Sequence, residues 1–305
     1  MRQLTLELVS IIYKVTKRIP IPFISNLGER ICSLKDPYIF DVLSKLGVDK
    51  ESTYDLMPPD LFLNKIWICW FQGEDKAPDL VKKCIDSVRK HASGYDVIIL
   101  TEDNIEEYVT LPNIVLTKYQ NGLFSQTHFS DIVRMNLLAQ QGGLWIDATI
   151  FMTKDLDLSI FFKNDFVSLR TTKKSSPLFI TGYWTTYFVY TPSNFKLVQY
   201  TALLLNKYIE KYDRFIDYFL QDYIITKAIK DLNYESYMEE RPVLGNQRWL
   251  LADLANKVVT SELLQQFKQD TVGIYKMTYK SKYIREKNGR ETFYKKIVED
   301  GECLE

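Results

Sequence analysis

The sequence is poor in the residues that most often build metal sites and disulfide frameworks. It contains two histidines, His91 and His128, which are too few and too far apart to suggest a zinc site. Its four cysteines are scattered without the paired spacing of metal ligands: Cys32, Cys69, Cys84 and Cys303. Two of them stand in apolar patterns typical of reduced core thiols, so we expect a reducing compartment.

The chain also lacks an excess of charge of either sign and lacks any long hydrophobic run. Lys and Arg together number 39, and Asp and Glu together number 39, so no global positive field favours nucleic-acid binding. No segment offers the roughly 18 to 20 consecutive apolar residues that a membrane-spanning helix needs, and the start lacks a signal-peptide cleavage pattern. We therefore expect a cytoplasmic globular protein.

An amphipathic pattern near the start adds a possible contact with a membrane surface. Apolar residues recur there at helical spacing: Leu4, Leu8, Ile11, Ile12 and Val15. Basic residues lie among them: Arg2, Lys14, Lys17 and Arg18. Two interpretations stay open, a peripheral helix on the inner face of the plasma membrane and a helix that packs its apolar stripe on the protein itself.

We predict two parts in the chain, a helical N-terminal appendage over residues 1–60 and a main domain over residues 61–305. Prolines at positions 20, 22, 37, 58 and 59 interrupt the appendage and close it. In the main domain apolar runs alternate with helical patterns, which predicts an α/β fold with a Rossmann-like, mostly parallel sheet flanked by helices. The predicted elements are a strand at Ile66–Phe71, a helix after Pro78, a strand at Tyr95–Leu100, a helix at Thr127–Gln141, a strand at Leu144–Ile146, and helices at Phe195–Tyr212 and Phe215–Ile229.

Asp147 stands at the carboxyl end of a predicted strand, where ligands bind in sheets of this kind. Asp131 and Arg134 lie three residues apart on one face of the preceding helix, and the turn at Gly142-Gly143 brings the next strand end near them. Breaking a sugar–phosphate bond needs cationic groups for the departing pyrophosphate and carboxylates near the anomeric carbon. These three side chains supply both, although each is also typical of an intrahelical ion pair or a turn.

Five ordered motifs carry a family resemblance. Residues 142–149, GGLWIDAT, match the pattern GGxWxDAT. Four other segments agree in the same order: KIWICWFQG at 65–73, HFSDIVR at 128–134, IDYFL at 216–220 and YKMTYK at 275–280. Over residues 65–280 the chain thus resembles the capsular polysaccharide synthesis proteins, which are similar to the sugar transferases that contain a DXD motif.

The resemblance implies a GT-A fold, with a nucleotide-sugar half over about residues 61–155 and an acceptor and C-terminal part over about residues 156–305. It implies a UDP-sugar donor and a divalent cation, Mg²⁺ or Mn²⁺. Trp70 would flank the base, Asp131 and Arg134 would hold the donor sugar, and Asp147 would be the catalytic, metal-binding first aspartate of the DXD pattern. Thr149 departs from that pattern, because it stands where the broader superfamily has a second, metal-reaching aspartate.

Residues late in the chain complete the implied site. Lys276 and Lys280 lie in the final lysine-bearing motif, and one or the other is expected to neutralise the pyrophosphate as a point charge where a metal is weakly held. The alternative, that both are solvated surface lysines, stays open. Asp217, in the IDYFL segment, is a second candidate catalytic residue that would orient an acceptor hydroxyl or face the anomeric carbon. Asp222 is recommended only by its proximity to Asp217.

The implied activity is transfer of a hexose, from UDP-glucose or UDP-galactose, with retention of configuration. The implied acceptor is a lipid-linked oligosaccharide of capsular or surface polysaccharide synthesis. Two alternatives stay open. One is a catalytically silent sugar-binding scaffold of a polysaccharide assembly complex, and the other is a phosphohydrolase with an aspartate nucleophile, for which Asp147-Ala148-Thr149 lacks the usual second aspartate.

Overall fold

The computed structural model describes residues 8–9, 11–12, 15–16, 30–31, 33–52, 64–172 and 184–301. The predicted boundary near residue 60 lies outside these residues, as do Leu4 and the prolines at positions 20, 22, 58 and 59. Within the described residues, no helix is long and apolar enough to cross a membrane.

A five-stranded sheet forms the centre of the main domain. The strands of the described chain are β1 Lys65–Cys69, β2 Asp96–Leu100, β3 Gly143–Ile146, β4 Ile150–Met152, β5 Val167–Ser168, β6 Phe188–Thr191, β7 Ile274–Lys276, β8 Glu286–Lys287 and β9 Arg290–Glu291. The central sheet has the order β2-β1-β3-β6-β5. Strand β1 pairs parallel with β2 and β3, whereas β6 pairs antiparallel with β3 and β5, so four of the five strands run in one direction.

Helices flank this sheet. Their bounds are α1 Asp36–Ser44, α2 Asp79–His91, α3 Ile105–Tyr108, α4 Asn113–Gln120, α5 Gln126–Gln141, α6 Leu158–Phe162, α7 Lys196–Lys211, α8 Leu220–Leu232, α9 Glu235–Glu239, α10 Leu250–Leu254 and α11 Ser261–Lys268. Alternate strand residues enter two cores: Trp67 and Trp145 pack with α5, α7 and α8, while Ile66 and Leu144 pack with α2. The predicted α/β fold class is thereby confirmed.

The two glycines before β3 are required by close packing. Gly142 and Gly143 both have positive φ, 66° and 93°, which favours glycine. A Cβ on Gly142 would lie 2.6 Å from the backbone nitrogen of Ser193, and one on Gly143 would lie 2.8 Å from the backbone oxygen of Lys65. The glycine pair therefore lets α5 turn directly into the centre of the sheet, which carries Asp147 to the end of β3.

A second, two-stranded sheet brings the end of the chain to the same place. Strand β4 pairs antiparallel with β7, and Ile150 lies opposite Lys276. The backbone nitrogen of Met277 donates to the oxygen of Thr149 at 2.8 Å, which extends this pairing towards Asp147. Lys276 is thus held beside a residue that lies more than a hundred positions earlier in the sequence.

The described part of the predicted appendage packs on the main domain. Helix α1 begins at Asp36 with a proline in its first turn, and its buried residues Ile39 and Leu43 share a core with Tyr223 of α8. The Tyr223 hydroxyl also donates to Asp36 Oδ1 at 2.6 Å. At the start of the chain, Leu8, Ile11 and Val15 are helical and between 54% and 56% exposed, so this part of the apolar stripe is not covered by the protein.

The prediction of a helix starting at Phe215 is wrong, because α8 begins at Leu220. Residues 215–219 form a loop held by side chains. The Tyr208 hydroxyl donates to the backbone oxygen of Arg214 and accepts from the nitrogen of Ile216, both at 2.9 Å. The carboxylate of Asp217 accepts from the nitrogen of Phe219 at 2.9 Å. These contacts give the loop the hydrogen bonds that a helix would have supplied.

Candidate active site

Asp147 lies directly after β3 in a tight turn. Its backbone nitrogen donates to the oxygen of Tyr187, and its backbone oxygen accepts from the nitrogen of Ile150, both at 2.9 Å. Strand β1 runs parallel beside β3, so Cys69 and Trp70 at the end of β1 lie at the same edge of the sheet. This is the edge at which parallel sheets bind their ligands.

The Asp147 carboxylate accepts hydrogen bonds on both oxygens. Oδ1 accepts from Arg134 Nη2 at 3.2 Å and from Trp145 Nε1 at 3.0 Å. Oδ2 accepts from Lys276 Nζ at 2.7 Å. Burial opposes ionisation of this group, but the charges of Lys276 and Arg134 outweigh it and hold the pKa of Asp147 well below its usual range. Asp147 is therefore an anion that fixes two cations in place.

Arg134 joins this carboxylate to two more side chains. Its Nη1 donates to Asp131 Oδ1 at 2.9 Å and to Gln221 Oε1 at 2.8 Å. Its guanidinium carbon lies 4.9 Å from the centroid of the Trp145 ring. We call the joined residues the Arg134 cluster: Asp131, Arg134, Asp147, Gln221 and Lys276. The cluster brings together residues from α5, the end of β3, α8 and β7.

The carboxyl of Asp131 differs electrostatically from that of Asp147. Burial raises the pKa of Asp131 to about 6, because it outweighs the favourable charge of Arg134. The two carboxyls on Arg134 can therefore serve different purposes. Asp147 is a fixed anion, and Asp131 can bind hydroxyls in either protonation state.

Trp70 lies in an aromatic pair beside the cluster. Its ring meets the Tyr279 ring edge to face, with centroids 5.5 Å apart, and its Nε1 is buried without a partner among the described residues. Lys280 is exposed, and its Nζ lies 5.8 Å from the Tyr279 ring centroid. The structure therefore places Lys276 in the cluster and Lys280 on the outer side of the aromatic pair.

Comparison with known proteins identifies the family of this chain. The model of the family described as "Capsular polysaccharide synthesis protein" matches residues 20–297, which is most of the chain. The chain belongs to the capsular polysaccharide synthesis protein family. No curated protein matches it. A solved structure described as "PaToxG Glycosyltransferase" aligns with 12% identity over 86% of this chain and 100% of that chain, with a TM-score of 0.39. A likeness at that level carries no argument about activity.

Asp217 does not contact the cluster of this capsular polysaccharide synthesis protein. Its buried carboxylate forms an ion pair with Lys35 at 2.5 Å, and both side chains are at most 5% exposed. The pair fastens the segment before α1 to the loop before α8. Its catalytic role stays a prediction, and its contacts support a positioning role for the loop.

The described donor set does not fit a metal ion held by protein side chains alone. Both oxygens of Asp147 already face donors, and Thr149 supplies a neutral hydroxyl where the DXD pattern has a second aspartate. In the part of the chain that the structure describes, no group of three or more His, Cys, Asp or Glu side chains is arranged to hold a metal. The expected divalent cation stays a prediction.

Two residues of the site were missed or dismissed at the level of sequence, Gln221 and Asp222. Burial and the charge of Asp131 raise the pKa of the Asp222 carboxyl to about 7, and its Oδ1 lies 3.5 Å from Trp184 Nε1. The available signal was their position directly after the IDYFL segment. The wrong helix start concealed it, since a helix from Phe215 would place both residues in its second turn.

Proposed function

We propose that this protein is a glycosyltransferase that moves a hexose from UDP-glucose or UDP-galactose onto a lipid-linked oligosaccharide during capsular polysaccharide synthesis. The observation that carries the proposal is the Arg134 cluster. It places an ionised carboxylate, a guanidinium and an ammonium group together at the ligand-binding edge of the sheet. Membership of the capsular polysaccharide synthesis family supports the same activity.

In this proposal the cations of the cluster act on the leaving group. Negative charge grows on the diphosphate as its bond to the anomeric carbon breaks, and preorganised cations stabilise that charge. The Asp147 carboxylate bonds to both Lys276 and Arg134. The two cations are therefore already in position and need not move during the reaction. Asp131 and Arg134 hold the sugar, and Trp70 with Tyr279 receives the base.

The cluster also favours Lys276 as the cation that stabilises the leaving diphosphate, which is a role that a metal ion would otherwise share. A lysine on Asp147 Oδ2 occupies the place where an ion would bind that carboxylate. We expect substantial transfer in the presence of chelator. Strict dependence on Mg²⁺ or Mn²⁺ would instead show that donor phosphates recruit the ion and displace Lys276.

We include retention of anomeric configuration in the proposal because the chain resembles the retaining DXD transferases. The configuration of the linkage in the isolated product decides the matter by NMR, and an inverted linkage would contradict this part of the proposal.

Exposed aromatic rings beside the cluster fit an acceptor sugar. Tyr218 is 62% exposed and its ring meets that of Phe219 edge to face at 5.1 Å. The Tyr218 ring also lies 5.7 Å from the ring of His128, which is on the same helix as Asp131 and Arg134. Tyrosine rings stack on the apolar faces of sugars, so we place the acceptor at this loop.

The test of the proposed function is release of UDP from a panel of UDP-sugars with membrane-extracted acceptor present. Wild-type protein should turn over one donor, and Asp147→Ala should lose that turnover. Asp86→Ala on the exposed face of α2 is the matched control and should behave as wild type. If the wild type binds UDP-sugars without turnover under all acceptor conditions, the silent scaffold becomes the better interpretation.

A further inference from the structure

Two buried nitrogen atoms of the Arg134 cluster have no hydrogen-bond partner among the described residues. Gln221 lies in the first turn of α8 and is 3% exposed. Its Nε2 is buried and unpartnered among the described residues, and the same holds for Arg134 Nε. An unpaired buried donor costs about 1 to 3 kcal/mol, so such a group usually marks a place where a ligand or a water completes the hydrogen bond.

The orientation of the Gln221 amide follows from chemistry. An arginine side chain only donates, so the amide oxygen must face Arg134, and the observed contact joins Arg134 Nη1 to Gln221 Oε1. The amide NH₂ therefore points away from Arg134. Its direction is fixed before any ligand binds, as a specific binding site requires.

A carboxyl group lies beside this amide. Asp131 accepts from the same Arg134 nitrogen that Gln221 contacts. A fixed amide donor and a carboxyl acceptor held on one arginine can bind neighbouring hydroxyls, because each hydroxyl both donates and accepts.

We propose that Gln221 lines the donor-hexose pocket beside Asp131, with Gln221 Nε2 donating to one sugar hydroxyl. This inference rests on the proposed function and adds to it a residue that selects the sugar. Sites that hydrogen-bond a hydroxyl discriminate strongly against donors that lack it or present it in another direction.

The first experiment compares binding of UDP and of the cognate UDP-hexose by calorimetry in wild type, Gln221→Met and Gln221→Glu. Gln221→Glu keeps an oxygen for Arg134 and removes the NH₂ donor. We expect both variants to weaken UDP-hexose binding by about tenfold or more beyond any change in their binding of UDP alone. Equal weakening of UDP and UDP-hexose would overturn the inference in favour of a structural role.

The second experiment uses a set of UDP-deoxyhexoses, each lacking one hydroxyl, in a double-mutant cycle. The analogue without the hydroxyl bound by Gln221 should bind Gln221→Met as well as it binds wild type. The other analogues should keep the effect of Gln221→Met. If every analogue loses the same factor in wild type and variant, Gln221 does not contact a sugar hydroxyl.

A matched control keeps folding effects apart. Gln199 is also a buried glutamine, but its amide donates to the backbone oxygen of Ser193. Gln199→Met should lower the melting temperature and leave the ratio of UDP-hexose to UDP affinity unchanged. A wild-type protein that binds no UDP-sugar would contradict the proposed function itself, and normal hexose selection by the Gln221 variants would contradict only this inference.

Discussion

At the scale of single residues, the lysines of the final motif separate into two roles. Lys276 Nζ bonds to Asp147, whereas Lys280 is exposed beside Tyr279. We expect Lys276→Met to lower kcat/KM about 100-fold or more, because it removes a preorganised cation from the leaving group. Lys280→Met should lower it by about tenfold at most, since exposed charges act weakly. Steady-state UDP release measures both, and equal losses would place Lys280 on the diphosphate as well.

Asp222 makes a second prediction at this scale, on stability against pH. The folded state raises the pKa of this carboxyl from 3.8 to about 7, so its stabilising contribution is complete below pH 3.8 and is lost as the pH rises through 7. The Asp222→Asn variant has no carboxyl at this position, so it does not lose this contribution to the free energy of unfolding as the pH rises. Relative to wild type, its melting temperature should rise by about 3 °C or more between pH 5 and pH 8. Asp86→Asn is the exposed control, and parallel curves for wild type and Asp222→Asn would contradict the prediction.

At the scale of elements, the turn from α5 into β3 depends on the absence of side chains. Gly143→Ala would add the cost of positive φ and a close contact with Lys65 and Trp67. Gly94 has a similar φ of 87° with nothing within 4 Å of its ideal Cβ, so it isolates the backbone cost. We expect about 1 to 2 kcal/mol for Gly94→Ala and about 1 to 3 kcal/mol more for Gly143→Ala. Denaturant unfolding measures both, and equal costs would show that the turn relaxes.

Variants of the ion pair between Lys35 and Asp217 distinguish a catalytic role of that aspartate from a positioning role. Asp217→Asn leaves a buried charge without its full partner and should destabilise the fold by about 3 kcal/mol. The double variant Lys35→Met/Asp217→Leu replaces the pair by apolar side chains and should recover stability. If turnover recovers with it, Asp217 positions the loop before α8, and if turnover stays lost, Asp217 acts on the substrate.

The elements that the sequence predicts best are those whose hydrophobic period is regular. The strand before Trp70 and the helix ending at Gly142 lie within a residue or two of their predicted bounds, and the helix after Pro78 begins where it was predicted to begin. The start of α8 could not be predicted, because Tyr208 holds the loop before it from another helix. Asp131, Arg134 and Asp147 were within reach of local spacing. The contacts of Lys276 and Gln221 depend on tertiary pairing, which no local pattern contains.

At the scale of the whole molecule, exposed apolar residues at the start of the chain bear on the predicted contact with a membrane surface. Leu8, Ile11 and Val15 repeat at helical spacing, and each is more than half exposed. Basic residues on the same segment favour an anionic surface. This arrangement supports the interpretation of the segment as a peripheral membrane helix that brings the enzyme to a lipid-linked acceptor.

The corresponding prediction concerns Leu8→Ser/Ile11→Ser/Val15→Ser. This variant should partition onto anionic liposomes at least about tenfold more weakly than wild type, because three apolar side chains lose their burial in the membrane. Its turnover with a soluble acceptor should stay at the wild-type level, while turnover with lipid-linked acceptor in vesicles should fall. The control triple Ile114→Ser/Leu123→Ser/Val243→Ser removes exposed apolar residues elsewhere on the surface and should partition as wild type does. If the first variant partitions as wild type does, the apolar stripe contacts a surface other than the membrane. Equal weakening in both variants would show a general effect of surface hydrophobicity.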